Sequence, residues 1–171
     1  MSLIGDLKSL NRSQRGAVVA SFLGWTLDAF DFFIMVMVLD NIAEDFQTKV
    51  SAVAYGITLT LLMRPIGAFI FGWLADRFGR RPTLMIDILL YSVVELASAF
   101  APDLTTLIVL RAIFGIAMGG EWGVGSSLVM ESIPPQTRGA VSGFLQEGYA
   151  MGYILAALAY WFLFPVVGWR G

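Results

Sequence analysis

The sequence predicts an all-α membrane protein, a polytopic bundle of apolar helices, and three observations carry that prediction. Of 171 residues, 57% are hydrophobic and 14% charged, where soluble domains carry about 25% charged residues. Mean hydropathy is +0.75, too apolar for a surface facing water. Five continuous apolar stretches are each long enough for a helix to cross a hydrocarbon core of about 30 Å, which takes roughly 20 residues. The same numbers exclude intrinsic disorder. Cys and His are absent, which excludes disulfides, Cys/His metal centres and any His-based relay or triad. Neither a metal nor a cofactor is expected, and no enzyme activity. The formal charge of −2 offers no basic face for nucleic acid.

The spans are expected at 16–39, 50–74, 83–101, 105–130 and 140–163. Their continuous rather than alternating hydrophobicity argues against a β-barrel. The first is too long for a signal peptide and lacks a small-residue cleavage pattern. Turn residues and charges mark the connectors 40–49, 77–82, 102–103 and 134–139, and no low-complexity linker interrupts them. The chain therefore divides into a short N-terminal segment, 1–15, and one membrane domain, 16–171.

Basic residues set the expected orientation. Lys8, Arg12, Arg15, Arg77, Arg80, Arg81 and Arg138 fall on one side, and only Lys49 and Arg170 on the other. The positive-inside rule then places the N-terminus in the cytoplasm of a multi-pass protein in the cell's inner (plasma) membrane. Trp161 and Trp169, near the outer end of the fifth span, fit an interfacial aromatic belt. Five spans end the chain outside, at Gly168-Trp169-Arg170-Gly171, which reads as a cut within a longer protein.

Eight ionisable residues lie inside the spans: Asp28, Asp31, Arg64, Asp87, Glu95, Arg111, Glu121 and Glu147. Unpaired, they would cost about 20 kcal/mol on insertion scales. They are expected to face one another or a wet cavity, the usual mark of an ion or solute path. With about 1.5 Å of rise per residue, Asp31 lies about 12 Å from the outer end and Arg111 about 9 Å, so these two can meet. Asp28 lies one turn deeper on the same face, and Arg64, about 20 Å deep, is its candidate partner. A carboxylate set between burial, a second carboxylate and a guanidinium can load and release a proton near neutral pH. The alternative is a static bridge locking two helices.

The remaining charges are less telling. Glu121 and Glu147 fall in the inner third, where gate packing or snorkelling to the interface is the plain reading. Asp87 is expected one turn inside the third span, where the helix dipole favours an anion. Glu95 has no depth-matched basic partner but Arg64, and either lines a cavity or stays protonated. Arg64 precedes Pro65, which frees a backbone carbonyl and bends a helix. An arginine at such a bend either faces a central cavity and grips an organic anion bidentately or simply pairs with Asp28.

Small residues recur every fourth position at Gly115, Gly119 and Gly123, at Gly148 and Gly152, and at Ala68 and Gly72. Such stripes let helices approach closely. The most specific motif joins the second and third spans: Gly72-Trp73-Leu74-Ala75-Asp76-Arg77-Phe78-Gly79-Arg80-Arg81. Physically, Gly72 permits close contact, Asp76 ends the helix, Gly79 turns the chain, and Arg80 and Arg81 anchor the connector at an anionic leaflet.

That segment resembles the G-x-L-x-D-R-x-G-R-R signature of the major facilitator superfamily. Arg111-x-x-x-Gly115 is similar to the family's fourth-helix motif. Glu131 followed by Arg138 is similar to its E-x6-R signature, and Gly168-Trp169-Arg170 to the stretch before helix six. Asp28-Ala-Phe-Asp31-Phe-Phe, Gly119-Gly120-Glu121-Trp122-Gly123 and Glu131-Ser-Ile-Pro134 resemble the sialate and lactate-type carboxylate:proton symporters, with Ala29 where that subgroup usually has glycine. Arg64 falls where those carriers place a second-helix arginine.

The resemblance implies the first five helices of a twelve-helix fold, with the sixth helix and second half missing. It also implies a substrate site between halves near the midplane. It implies a secondary transporter importing a small organic acid anion of the lactate, pyruvate or sialate type, driven by the proton gradient within the lipid bilayer. Asp28, Asp31 and Arg111 would couple protons, and Arg64 and Glu121 would meet substrate. Gly72, Asp76, Arg77, Gly79, Arg80, Arg81, Glu131 and Arg138 would form the cytoplasmic gating motif, with Asp76 and Arg138 in a charge network that ties the halves together. The alternatives are a non-transporting fragment or helical scaffold, and aromatic acids or other metabolites as substrate.

Overall fold

The computed structural model describes residues 10–170, so Lys8 and Gly171 lie outside it. Among the described residues there are helices and no strands. Five are long: α1 (Arg12–Met37), α3 (Val50–Phe78), α4 (Arg80–Ala99), α5 (Leu104–Ser132) and α6 (Arg138–Phe162). Two are short, α2 (Leu39–Asp45) and α7 (Phe164–Val167), and a 3-10 turn covers Pro135–Thr137. The proximal end of the bundle holds Leu10, Gly79 and Pro134; the distal end holds α2, Asp103 and Gly168.

Each long helix has a local reason to start or stop. Asn11 and Gln14 form a reciprocal capping box at α1, both bonds at 2.9 Å, and each satisfies an orphan donor. Gln14 also donates to the Ser132 carbonyl at 2.6 Å, tying the start of α1 to the end of α5. Asp103 caps α5, accepting from the Thr106 amide at 2.9 Å and its hydroxyl at 3.0 Å. Those two bonds hold the exposed Asp103 carboxyl below its ordinary range. Pro134 and Pro135 separate α5 from α6.

The α3–α4 connector is shorter than expected. The helices continue to Phe78 and resume at Arg80, leaving only Gly79 between them. Gly79 has φ +95°, which glycine adopts without penalty. Pro82 falls in the first turn of α4, where no intrahelical donor is required. Asp76 sits in the last turn of α3 rather than ending it. The connector expected at 40–49 holds a helix, α2. Pro65 lies inside a continuous α3.

Four of the five long helices, α1, α3, α4 and α5, are long and apolar enough to cross a membrane by length and composition. The fifth, α6, has 25 residues, enough at about 1.5 Å each. Its apolarity is diluted by Gln146, Glu147, Tyr149 and Tyr153. Large side chains face outward in numbers: Phe69 is 78% exposed and Trp161 75%. In water that would be an aggregation liability; in lipid it is the expected surface. Trp169 donates to Asp45 at 3.2 Å and packs edge-on to Phe46.

α5 is the hub of the bundle, packed by α3, α4 and α1, while α6 packs on α1. Only some of the small-residue stripe explains this. A Cβ on Gly115 would collide with the Thr60 backbone, and one on Gly119 with the Arg64 backbone. Gly67 meets the Ile116 backbone in the same way. Gly152 gives room to Thr26 and to Ala29, which is fully buried. Gly72 and Gly123, expected to pack, have nothing near the Cβ position because their faces point out of the bundle. Two apolar clusters close the ends. Val18, Trp25, Val129, Val141 and Leu145 fill the proximal one, and Met35, Ile42, Val53 and Leu107 the distal one. Charged side chains lie between them.

Candidate functional site

The interior charges gather around two arginines. Arg111, on α5, is 3% exposed. Its Nη1 donates to the Asp31 carboxylate on α1 at 3.3 Å, as the depth match predicts. Its Nη2 donates to the Glu95 carboxylate on α4. The guanidinium lies over the Phe114 ring at 4.6 Å, and Nε is buried without an acceptor. The Thr60 hydroxyl donates to the Arg111 carbonyl at 2.9 Å, pinning the backbone to α3. The pairing of Glu95 with Arg111 corrects the expectation that only Arg64 matched its depth. Measured from the outer end of the third span, Glu95 is about 9 Å deep, the same as Arg111; counting it from the midplane hid the match.

The second arginine, Arg64 on α3, is 3.6 Å from Asp28 as an ion pair and donates to the Met118 sulfur at 3.0 Å. Trp122 Nε1 donates to the other Asp28 oxygen at 2.8 Å, and Trp122 stacks on Trp25 with centroids 4.8 Å apart. Asp28 is therefore held from both α3 and α5. Its neighbour Glu121 is buried against Gly24, within electrostatic reach of Asp28 and Arg64. That corrects the snorkelling expectation for Glu121: its side chain turns toward α1, away from any interface. Glu147 is exposed on α6.

Asp87 also departs from expectation. Because α4 begins at Arg80, Asp87 lies two turns inside it, beyond the first turn over which the dipole acts. It is fully buried, and neither carboxylate oxygen has a hydrogen-bond partner.

A cavity of about 580 Å³ opens between α1, α4 and α5 toward the distal end, and Asp31, Glu95, Arg111, Tyr91, Trp169 and Arg170 are among its lining. Arg64 and Glu121 do not line it; of the two readings of Arg64, the contacts within this chain show the pairing with Asp28. Arg64 turns instead to Asp28 and Met118, with its side chain 23% exposed. At the rim, Arg170 pairs with Asp45 at 2.9 Å and donates to the Ala99 and Ala101 carbonyls at the end of α4. No acidic cluster suited to a metal ion occurs among the described residues.

At the proximal end Arg80 bridges Asp76 at 3.2 Å and Glu131 at 3.1 Å, joining α3, α4 and α5. Arg77 lies over the Trp73 and Phe78 rings. Within the described residues Arg80 links Asp76 and Glu131, while Arg81 and Arg138 make no ion pair.

A bundle of long apolar helices with ion pairs held in its interior, reached by a cavity from the distal end, is the build of a polytopic membrane protein. The chain belongs to the Major Facilitator Superfamily, whose sequence profile matches residues 17–171. Among its relatives, the sialic acid transporter NanX of Escherichia coli is 37% identical over 164 residues, covering 95% of this chain and 40% of NanX. The niacin transporter NiaP of Acinetobacter baylyi is 35% identical over 148 residues, covering 86% of this chain and 34% of NiaP. The inward-open xylose transporter XylE of E. coli superposes with a TM-score of 0.80 at 21% identity, over 92% of this chain and 43% of XylE. The chain thus spans about 40% of the length of these relatives, which are transporters and not enzymes.

Proposed function

We propose that this chain is the N-terminal transmembrane half, residues 16–171 after a cytoplasmic segment 1–15, of a secondary transporter that imports a small organic acid anion together with protons. The observation that carries the reading is the Asp31–Arg111 pair, largely buried inside the bundle and lining a cavity. A charge pair there is costly to keep, and its use is to be broken and remade. Protonation of Asp31 releases its share of Arg111 and favours the occluded, substrate-loaded state. Asp28 stands one turn away as the second coupling carboxylate. Arg64, partly open beside Asp28, supplies the cation that contacts the substrate carboxylate, with Glu121 behind it. Sialic acid and niacin, the named cargoes of the two relatives, are both small acids, which favours an anion over a neutral sugar. The seven-to-two distribution of basic residues supports an inner-membrane protein with its N-terminus in the cytoplasm. There the Asp76–Arg80–Glu131 rim serves as the gating surface against a second half, with Gly72 and Arg138 on the face it would meet.

The experiment is transport by the full-length gene product in proteoliposomes. Asp31→Asn abolishes accumulation driven by a proton gradient and spares counterflow exchange; full accumulation by that variant overturns the reading. Arg64→Lys keeps the charge but loses the bidentate fork, so the apparent KM for carboxylate substrates rises. Unchanged kinetics reduce Arg64 to a partner of Asp28. An aromatic acid such as niacin accumulating in preference to sialic acid moves the substrate class without moving the mechanism.

A further inference from the structure

The site around Arg111 holds one carboxylate more than a coupling pair requires. Arg111 offers Nη1 to Asp31 and Nη2 to Glu95, so one guanidinium is shared between α1 and α4. Its backbone is held by Thr60, and its side chain packs over Phe114. In a lone Asp31–Arg111 pair, protonating Asp31 would strand a buried cation, which is the costly state of a broken internal pair. Glu95 removes that difficulty. It reaches the distal cavity with its side chain 41% exposed, while Asp31 is 14% exposed.

We infer that Glu95 is a positioning residue for proton coupling: it keeps hold of Arg111 while Asp31 carries the proton. The inference rests on the proton-coupled reading above. In the loading step a proton from the cavity bonds to an Asp31 oxygen, the Asp31–Arg111 ion pair opens, and the Glu95–Arg111 pair remains. Release reverses those changes. With both carboxylates ionised the triad carries one net negative charge, and with the proton bound it is neutral. The charged and titratable groups around it are few. From α1 comes Asp28, already held by Arg64 of α3 and by Trp122; α4 adds Tyr91, and the distal rim adds Arg170, paired with Asp45.

The test is the pH profile of radiolabelled sialic acid accumulation by the full-length carrier in proteoliposomes. Glu95→Gln removes a negative charge and the second anchor of Arg111, and both changes disfavour proton loading. Half-maximal accumulation then requires a proton concentration about tenfold higher, a profile displaced to lower pH by about one unit, while counterflow is retained. Glu95→Asp keeps the carboxylate and moves the profile back toward the parent. Should Glu95→Gln not fold, Glu95→Met carries the same expectation without asking for a polar partner. A neutral variant whose profile coincides with the parent overturns the role of Glu95 and leaves Asp31 coupling intact. Accumulation by the parent that ignores the proton gradient overturns coupling itself, and the Glu95 role with it.

Discussion

Arg111 and Arg80 have the same wiring in opposite settings. Each arginine bridges two carboxylates from two other helices or helix turns: Asp31 and Glu95 for Arg111, Asp76 and Glu131 for Arg80. The first is sealed, with 4% of its side chain exposed. The second sits on the rim beside carboxylates that are 72% and 60% exposed. In water the rim pairs exchange with solvent and are screened by salt, so each is worth about 0–1 kcal/mol. Inside the bundle Arg111 itself has almost no water to return to, and losing its carboxylates leaves a buried charge uncompensated. Identical connectivity thus yields a surface clasp in one place and a tightly constrained charge site in the other.

The sharpest way to break that contrast is to remove each arginine in turn. Arg111→Ala leaves Asp31 and Glu95 facing each other without a cation, and the purified protein loses about 3–5 kcal/mol of stability. Arg80→Ala costs about 1 kcal/mol or less. Thermal unfolding in detergent reads both, and added salt erodes only the Arg80 contribution; equal losses would collapse the distinction. A smaller effect sharpens the interior side. Trp122→Phe preserves the stack on Trp25 but strands a buried Asp28 oxygen, costing about 1–3 kcal/mol, and a loss no larger than that of an exposed tryptophan would show that Asp28 has another donor.

The smallest effect belongs to the rim. Asp103 has a depressed pKa because the Thr106 amide and hydroxyl donate to it. Its contribution to the start of α5 is therefore full above the ordinary carboxylate pKa and is lost as pH falls through the lowered value. Amide hydrogen exchange at Thr106 should accelerate on acidification and should lose that pH dependence in Asp103→Asn, which can still cap. Unchanged exchange in acid would remove the cap from the account.

Much of this was legible in the residues. The pairing of Asp31 with Arg111 and of Asp28 with Arg64 follows from depth, because a helix converts residue count into distance along the membrane normal. Glu95 was within reach of the same arithmetic, since its depth equals that of Arg111. Trp122 as a donor to Asp28 was not legible: depth says nothing about which way a helix is rotated, and rotation brings that indole to α1. Burial of Asp87 was obscured for a different reason. Arg80, Arg81 and Pro82 read as loop, yet a proline is at home in a first turn, so α4 begins earlier than its polar residues suggest.

By itself the sequence determined that this is a bundle of long apolar helices, about where each lies, which charges fall within them and the family motifs that mark the proximal connector. Composition and periodicity suffice for that, because hydrocarbon demands internally hydrogen-bonded helices of a set length. Only the tertiary structure decided who faces whom. It put Gly67, Gly115, Gly119 and Gly152 against neighbouring helices and left Gly72 and Gly123 open. It also gave Arg111 two carboxylates and turned Glu121 inward toward Gly24. Those outcomes depend on helix rotation and on the approach of backbones far apart in the chain, and neither leaves a trace in the spacing along any one helix.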